Sequence, residues 1–267
     1  MSYTYDNAGR RTSMTVAGQP LVNYTYDNAN RLTQISQGTA TVVIGYDNAN
    51  RRTSMTLPNG VSAAYGYDAA SRVTSITYTQ GSNTLGNLPY AYDANGRRTS
   101  TGGSLAQVNL PSAVASATYN ANNQVTQWGS TSPTYDLNGN LVNDGTTTYT
   151  WDARNQLAAF GSTAFAYDAR GRRTRNAVGS SFLYDGANPV QELAGSSVTA
   201  NLLTGLGVDE SFTRTDSAGV RDFLTDALGS TVALTDSSGT VQTQYEPFGK
   251  TTLNGPDKCQ QLPVYRS

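Results

Sequence analysis

One short unit recurs along this chain and limits what the chain can become. The pattern Tyr-Asp-x-x-(Gly/Asn)-Arg-x-Thr starts at Tyr5-Asp6 and returns at Tyr26-Asp27, Tyr46-Asp47, Tyr67-Asp68 and Tyr92-Asp93. Looser copies sit at Tyr119-Asn120, Tyr135-Asp136, Trp151-Asp152, Tyr167-Asp168 and Tyr184-Asp185, with spacings of 16 to 27 residues. Self-similarity on this scale marks repeat architectures, in which one supersecondary unit buries its face only against the next.

Each unit reads as a β-hairpin. Two residues before the key aromatic there is often another, as at Tyr3, Tyr24, Tyr65, Tyr90, Tyr149, Phe165 and Phe182. Alternate residues of a strand share a face, so Tyr-x-Tyr sets both rings on one side. The Asp then forms an Asx-type turn by accepting amide hydrogens just ahead of it. Gly9, Asn30, Asn50, Gly96, Asn123, Gly139, Asn155 and Gly171 follow, residues that tolerate a positive φ at the turn exit. Ser71 departs from this rule, and Asn188 falls one place late. The return strand carries Arg, Thr and an apolar residue on one face, the apolar place being Met14, Ile35, Met55, Ile76, Trp128 and Phe160. Thr101, Asp144 and Asn176 break that pattern.

Two strands per unit over ten units predict roughly twenty strands, too many for a flat open sheet. Helix breakers recur in every unit, so few or no long helices are expected. The fold class is all-β: one long meandering antiparallel sheet of hairpins winding into a curved wall. Its expected lining is Tyr, Thr and Ser rather than a solid apolar core. Of 267 residues 17 are Tyr, against 6 Phe and 2 Trp, and only 14% are charged, which suits half-buried strands. An incomplete wall would leave strand edges near Tyr3 and Thr251, and bare edges recruit other strands.

Two absences narrow the chemistry. There is no histidine, which removes Ser-His-Asp triads, His-ligated zinc and histidine acid–base work. The single cysteine, Cys259, allows no intramolecular disulfide and no thiolate cage; an inert free thiol or intermolecular pairing are the readings left. No cofactor or metal is expected. A net charge of -1 argues against nucleic-acid binding, and no apolar run is long enough for a membrane helix. No signal peptide is visible at Met1 to Asp6.

Beyond the repeats lie Gly207-Val208-Asp209-Glu210, the run Phe223 to Asp236 containing Asp226-Ala227-Leu228-Gly229, and Tyr245-Glu246-Pro247-Phe248-Gly249. With the repeats over residues 3–192, these motifs resemble the Rhs/YD-repeat family, shared by bacterial Rhs polymorphic toxins, wall-associated YD proteins, the C component of insecticidal toxin complexes and animal teneurins. The resemblance favours the bacterial branch. It implies that the repeats form part of a hollow β-cage around an unfolded C-terminal toxin, with the core region plugging one end. It divides the chain into YD/Rhs repeats (1–192), the start of the Rhs repeat-associated core (193–252) and a divergent tail (253–267). Many members of that family cut the toxin free with aspartates of a later Asp-Pro-x-Gly motif. No Asp-Pro dipeptide occurs in this sequence. The expectation is therefore a non-catalytic shell segment, a fragment or degenerate copy of a larger shell, secreted or at the cell surface in the full-length protein. Its partners would be a toxin polypeptide and the remaining shell.

The residues singled out are the repeat pairs Tyr5, Asp6, Tyr26, Asp27, Tyr46, Asp47, Tyr67, Asp68, Tyr92, Asp93, Tyr135, Asp136, Tyr167 and Asp168, and the core residues Asp226, Gly229, Tyr245, Pro247 and Gly249. The Tyr-Asp pairs read either as sugar platforms, making the chain a cell-surface carbohydrate-binding module, or as cross-strand packing and turn residues. Tenfold recurrence suits the second. Arg10-Arg11, Arg51-Arg52, Arg97-Arg98 and Arg172-Arg173 read either as a basic ladder for phosphate or acidic glycan, or as partners of the nearby turn aspartates. Asp209 with Glu210, and Asp222 with Asp226, read either as glycosidase-type carboxylate pairs or, without a visible desolvating environment, as surface or turn acids.

Overall fold

The computed structural model describes residues 1–106, 113–175, 180–245 and 251–253. Among these residues there are strands and turns and no helix, so none that is long and apolar enough to cross a membrane. Contacts divide the chain into two units: Met1–Asn109 with Asn188–Val190 and Val198–Ser267, and Leu110–Ala187 with Gln191–Ser197.

The first unit opens with ten strands: β1 (Ser2–Tyr5), β2 (Arg11–Thr15), β3 (Val22–Tyr26), β4 (Leu32–Gln37), β5 (Ala40–Tyr46), β6 (Arg52–Thr56), β7 (Val61–Tyr67), β8 (Val73–Gln80), β9 (Asn83–Tyr92) and β10 (Arg98–Thr101). They pair antiparallel in strict sequence order as one ten-stranded sheet, with β1 and β10 at its edges. The second unit holds β11 (Ala117–Tyr119), β12 (Val125–Trp128), β13 (Thr134–Tyr135), β14 (Leu141–Asn143), β15 (Tyr149–Trp151), β16 (Leu157–Phe160), β17 (Thr163–Ala164), β18 (Ala166–Tyr167), β19 (Arg173–Arg175) and β20 (Ser180–Asp185). After β21 (Asn188–Ala194) come the remaining strands of the first unit: β22 (Ser197–Thr204), β23 (Ser211–Asp216), β24 (Gly219–Thr225), β25 (Thr231–Asp236), β26 (Val241–Tyr245) and β27 (Thr251–Leu253). These six again pair in sequence order.

The antiparallel hairpin meander is present, but not as a single uninterrupted sheet. Where the repeats shorten to 16-residue spacing, β11–β12, β13–β14 and β15–β16–β17 form sheets of two, two and three strands. Their strands are only two to four residues long, too short to carry a ladder across to the next hairpin.

A β-bulge is built into nine of the ten repeats. In β3–β4, Thr25 pairs with Gln34 but Tyr26 pairs with Leu32, which leaves Thr33 without a partner in register. The same shift precedes Tyr5, Tyr46, Tyr67, Tyr92, Tyr119, Tyr135, Trp151 and Tyr167. It explains the threonine of the motif, whose hydroxyl meets the facing strand: Thr33 Oγ1 donates to Thr25 O at 3.2 Å, and Thr12 Oγ1 lies 2.7 Å from Thr4 Oγ1. A bulge also increases local twist.

The apolar place of the repeat is the core. Met14, Ile35, Met55 and Ile76 are all buried, Ile35 completely (0% exposed), together with Val22, Val42, Ile44, Val61, Ala63 and Leu88. Leu202, Phe212, Phe223, Leu224 and Leu234 are buried on β22–β25. The expected Tyr, Thr and Ser lining is thus replaced in the first unit by an apolar layer, because strands of both stretches bury their β-branched and aromatic faces. The second unit differs. Trp128 and Phe160 occupy the same apolar place yet stay 48% and 42% exposed, and Tyr119 and Leu137 are exposed too.

Burial predicts the cost of truncation. Ile35→Ala should destabilise the chain by about 2–5 kcal/mol, read as a lower urea midpoint, whereas Trp128→Ala should shift it far less. Equal shifts would contradict a core concentrated at the first unit's apolar places.

Candidate functional site: an inter-repeat latch

The repeat aspartate closes its own turn. Asp27 N–H donates to Arg31 O at 3.0 Å, and Asp27 Oδ1 accepts from the amides of Ala29 and Arg31, both at 2.9 Å. Asn30 takes φ 63°, the left-handed value expected of its residue type. The same turn forms at Asp6, Asp47, Asp68, Asp93, Asp136, Asp152 and Asp168, and with Asn120 in place of Asp. It also forms at Asp226 and Asp236, where Gly229 and Gly239 have φ 83° and 80° and a register shift again precedes the acid. The core motif Asp226-Ala227-Leu228-Gly229 is therefore the repeat turn without its tyrosine. Asn188 is a correction: it is not a turn residue. Gly186 takes the positive φ of that hairpin, and Asn188 is buried, with its amide donating to Gly207 O at 2.7 Å and accepting from Asp209 N–H at 2.7 Å.

In five of the ten repeats the second carboxylate oxygen is part of a link to the next hairpin. Asp27 Oδ2 accepts Arg31 Nε at 2.7 Å. The same guanidinium lies 5.0 Å from the centre of the Tyr46 ring, and its Nη1 donates to Asp47 O at 2.9 Å and Asn50 Oδ1 at 3.1 Å. Tyr46 answers by donating its hydroxyl to Leu32 O at 2.9 Å. Arg10 over Tyr26, Arg51 over Tyr67, Arg72 over Tyr92 and Arg172 over Tyr184 repeat this at 4.7–4.8 Å. Each cation–π contact contributes about 0.5–1 kcal/mol. Arginine is suited to this because its planar fork bonds a carboxylate, stacks on a ring and reaches a carbonyl at once.

The second arginine of each pair does different work. Arg11 stacks on Tyr3 at 4.4 Å, Arg98 on Tyr90 at 5.5 Å and Arg173 on Phe165 at 5.1 Å, while Arg52 forms an ion pair with Glu210 at 2.7 Å. These arginines are committed within the fold and form no open basic ladder.

A second set of polar contacts joins β8, β9 and the β6–β7 turn to β23–β25 and the turn after β24 within the first unit. Tyr78 is buried; its hydroxyl donates to Thr225 O at 2.8 Å and accepts Thr225 N–H at 2.9 Å. Tyr90 accepts Ala227 N–H at 3.0 Å, so both rings bracket the core turn. Asn59 Nδ2 donates to Thr235 Oγ1 at 2.9 Å and Asp236 O at 2.8 Å. Asp222 is fully buried (0% exposed) and accepts Asn59 N–H at 3.0 Å and Thr213 Oγ1 at 2.7 Å.

The four acids weighed as carboxylate pairs separate into four structural roles. Asp226 holds a turn, Asp209 sits at φ 57°, and Glu210 pairs with Arg52. Asp222 is neither a surface nor a turn acid, a correction to the reading above. Burial pushes its carboxyl up, which favours the protonated form. The repeat acids go the other way: backbone N–H donation from Arg10, Arg31, Arg51, Arg72 and Arg97, then the guanidinium, holds Asp6, Asp27, Asp47, Asp68 and Asp93 below the usual carboxylate range.

Tyr5 is exposed, at the start of the array, while Tyr26, Tyr46, Tyr67, Tyr92, Tyr135 and Tyr167 are half-buried. Tyr65 and Tyr90, the rings that a glycan platform would expose, are half-buried beside Arg52 and buried, respectively. Tyr245 ends β26; Pro247, Gly249, Asn176 and Cys259 lie outside the described residues. The bulge, the Tyr hydroxyl-to-carbonyl bond and the Asp222 cluster were not read from the sequence. Only the fixed Arg-x-Thr spacing after the turn hinted at the first.

This fold and latch define an all-β protein of stacked Tyr-Asp hairpins. The teneurin YD-shell family model matches residues 1–100 and 64–258, and the chain belongs to that family. No curated protein matches it. Among solved structures it is similar to TcdB2–TccC3 (TM-score 0.65, 16% identity, 94% of this chain and 18% of that one). It is similar to TcdB2–TccC3 without its hypervariable C-terminal region (TM-score 0.64, 16%, 94% and 18%) and to the Tc holotoxin pore of Photorhabdus luminescens (TM-score 0.60, 16%, 93% and 18%). The chain spans 18% of the length of these relatives, and at 16% identity the likeness is one of fold.

Two outcomes test the latch. Ser71 alone among the repeat turn exits holds a positive φ, 62°, without being Gly or Asn, and its hydroxyl takes Arg51 Nη1 at 3.3 Å. Ser71→Asn supplies a residue that tolerates this backbone and keeps an acceptor, so it should raise stability by up to about 1 kcal/mol; a lower melting temperature would refute the strain. The repeat acids, depressed in the fold, contribute stability that is present above the unfolded value near pH ~4 and lost as pH falls through the depressed one. Asp222, raised in the fold, contributes with the opposite sign. Asp27→Asn should therefore lower the melting temperature at neutral pH, and the gap to the parent should close on acidification. A gap independent of pH would show that the charge does not matter.

Proposed function

We propose that this chain is a non-catalytic segment of a secreted shell wall, whose work is to separate an enclosed polypeptide from solvent. The observation that carries the reading is the latch: in five of the ten repeats a hairpin is completed by groups of the next, so the array extends by repetition without needing a ligand. The family match supports a shell role, and the fold shared with Tc toxin assemblies supports a toxin polypeptide as the cargo and further repeats as the neighbours. A non-catalytic role is consistent with the commitments of the acids, since Asp222, Asp226 and Glu210 are each held by structural hydrogen bonds or an ion pair.

The test uses the full-length gene product. Its C-terminal segment should survive protease under native conditions and be digested once the repeats are unfolded by denaturant. Digestion at the rate of the free segment under native conditions would refute enclosure. Intact mass spectrometry of the 267-residue chain should return one species after prolonged incubation; a discrete self-cleavage product would refute the non-catalytic reading.

A further inference from the structure

The repeat at Trp151-Asp152 keeps its turn but lacks the latch cation. Asp152 N–H donates to Gln156 O at 2.9 Å, and Asp152 Oδ1 accepts the amides of Arg154 and Gln156 at 2.8 and 2.9 Å. Gln156 stands where the complete repeats carry arginine, and its Nε2 reaches Gly171 O in the next turn at 3.5 Å. Glutamine thus replaces the far reach of the arginine and nothing else. In the Asp6, Asp27, Asp47, Asp68, Asp93 and Asp168 repeats, Oδ2 takes an arginine Nε at 2.6–2.8 Å. In the Asp136 repeat it takes Asn140 Nδ2 at 2.9 Å. Among the described residues no side chain donates to Asp152 Oδ2, and no guanidinium lies over the Tyr167 ring.

A cavity of about 330 Å³ opens at this place, lined by Asp152, Arg154, Gln156, Phe165 and Tyr167 among others. That volume is at the lower end for ligand sites, enough for one extended side chain. Its carboxylate oxygen and ring are the two groups that hold Nε and the guanidinium face in every complete repeat. We propose that this cavity binds the guanidinium of an arginine side chain presented by another polypeptide segment, which takes the place of the missing latch arginine. Phe165 offers an apolar wall to the methylene stem. Arg154 on the rim and Arg173 over Phe165 are the cations nearby, and both weaken rather than create the site. The proposal is independent of enclosure.

Binding is measured by titrating the 267-residue chain with L-argininamide, a blocked Gly-Arg-Gly peptide and its citrulline counterpart, which has the same shape without the charge. Both arginine probes should bind, the peptide at least as tightly, and the citrulline peptide at least tenfold more weakly. Gln156→Arg refills the cavity from within, so it should abolish binding while raising the melting temperature. Asp152→Asn should weaken binding at least tenfold with an unchanged circular dichroism spectrum, because Asn120 already holds the same turn with its own Oδ1. Arg154→Ala should tighten binding a few-fold. Equal binding of the citrulline peptide, or full affinity in Gln156→Arg, would overturn the proposal. So would weaker binding in Arg154→Ala, which would mark an anion site. Binding of argininamide without the peptide would overturn the polypeptide partner.

Discussion

The structure depends on one guanidinium used three ways. In each complete repeat it neutralises the turn carboxylate behind it, covers the tyrosine ring ahead of it and bonds the turn backbone or turn-exit side chain of that next repeat. None of these contacts is strong alone at a half-exposed surface. Their effect comes from being shared between neighbours, so that a hairpin with a latch arginine is complete only when the next is in place. This is the nearest-neighbour energetics of a repeat protein written in side chains. The tyrosine hydroxyl, and in some repeats the bulge threonine, add further bonds at the same end of the hairpin, so the polar edge and the apolar core are organised by one eight-residue motif.

The latch arginine is missing in three consecutive repeats of short strands, although the Asp168 repeat keeps its latch on strands of two and three residues. Where arginine gives way to Gln124, Asn140 and Gln156, the strands shorten to a few residues and large apolar side chains stay exposed. Asn140 restores part of the arrangement, bridging Asp136 Oδ2 and Asn155 Oδ1. Gln156 does not reach back to its acid. The two units therefore differ in how they are held: the first by a deep apolar layer and buried polar contacts such as Tyr78–Thr225, the second by its turns and the Arg172–Tyr184 latch.

Much of this was legible because it is local. A recurring Asp followed by Gly or Asn dictates a turn wherever it occurs, and Met14, Ile35, Met55 and Ile76 recur at one apolar place of the repeat, whose burial as a core the sequence reading did not expect. What was not legible needs three dimensions. The bulge shifts register by one residue and leaves no compositional trace. The arginine's second partner lies a whole repeat away, 15 or so residues on. Asp222 looks like any strand acid until Asn59 and Thr213, far apart in sequence, are brought to it by the fold. The sheet's interruption in the degenerate repeats follows from short strands, which the sequence reading of one long meander did not foresee.

The central claim is that stability passes from one repeat to the next through the arginine–tyrosine contact, and a double-mutant cycle measures this directly. Arg31→Gln and Tyr46→Leu, made singly and together in the 267-residue chain, should show a coupling of about 0.5–2 kcal/mol in urea unfolding, while Arg31→Gln with Tyr92→Leu should be additive. Additivity for the Arg31–Tyr46 pair as well would mean that the contact seen between neighbours carries no energy, and the account of the array as a chain of latches would fail.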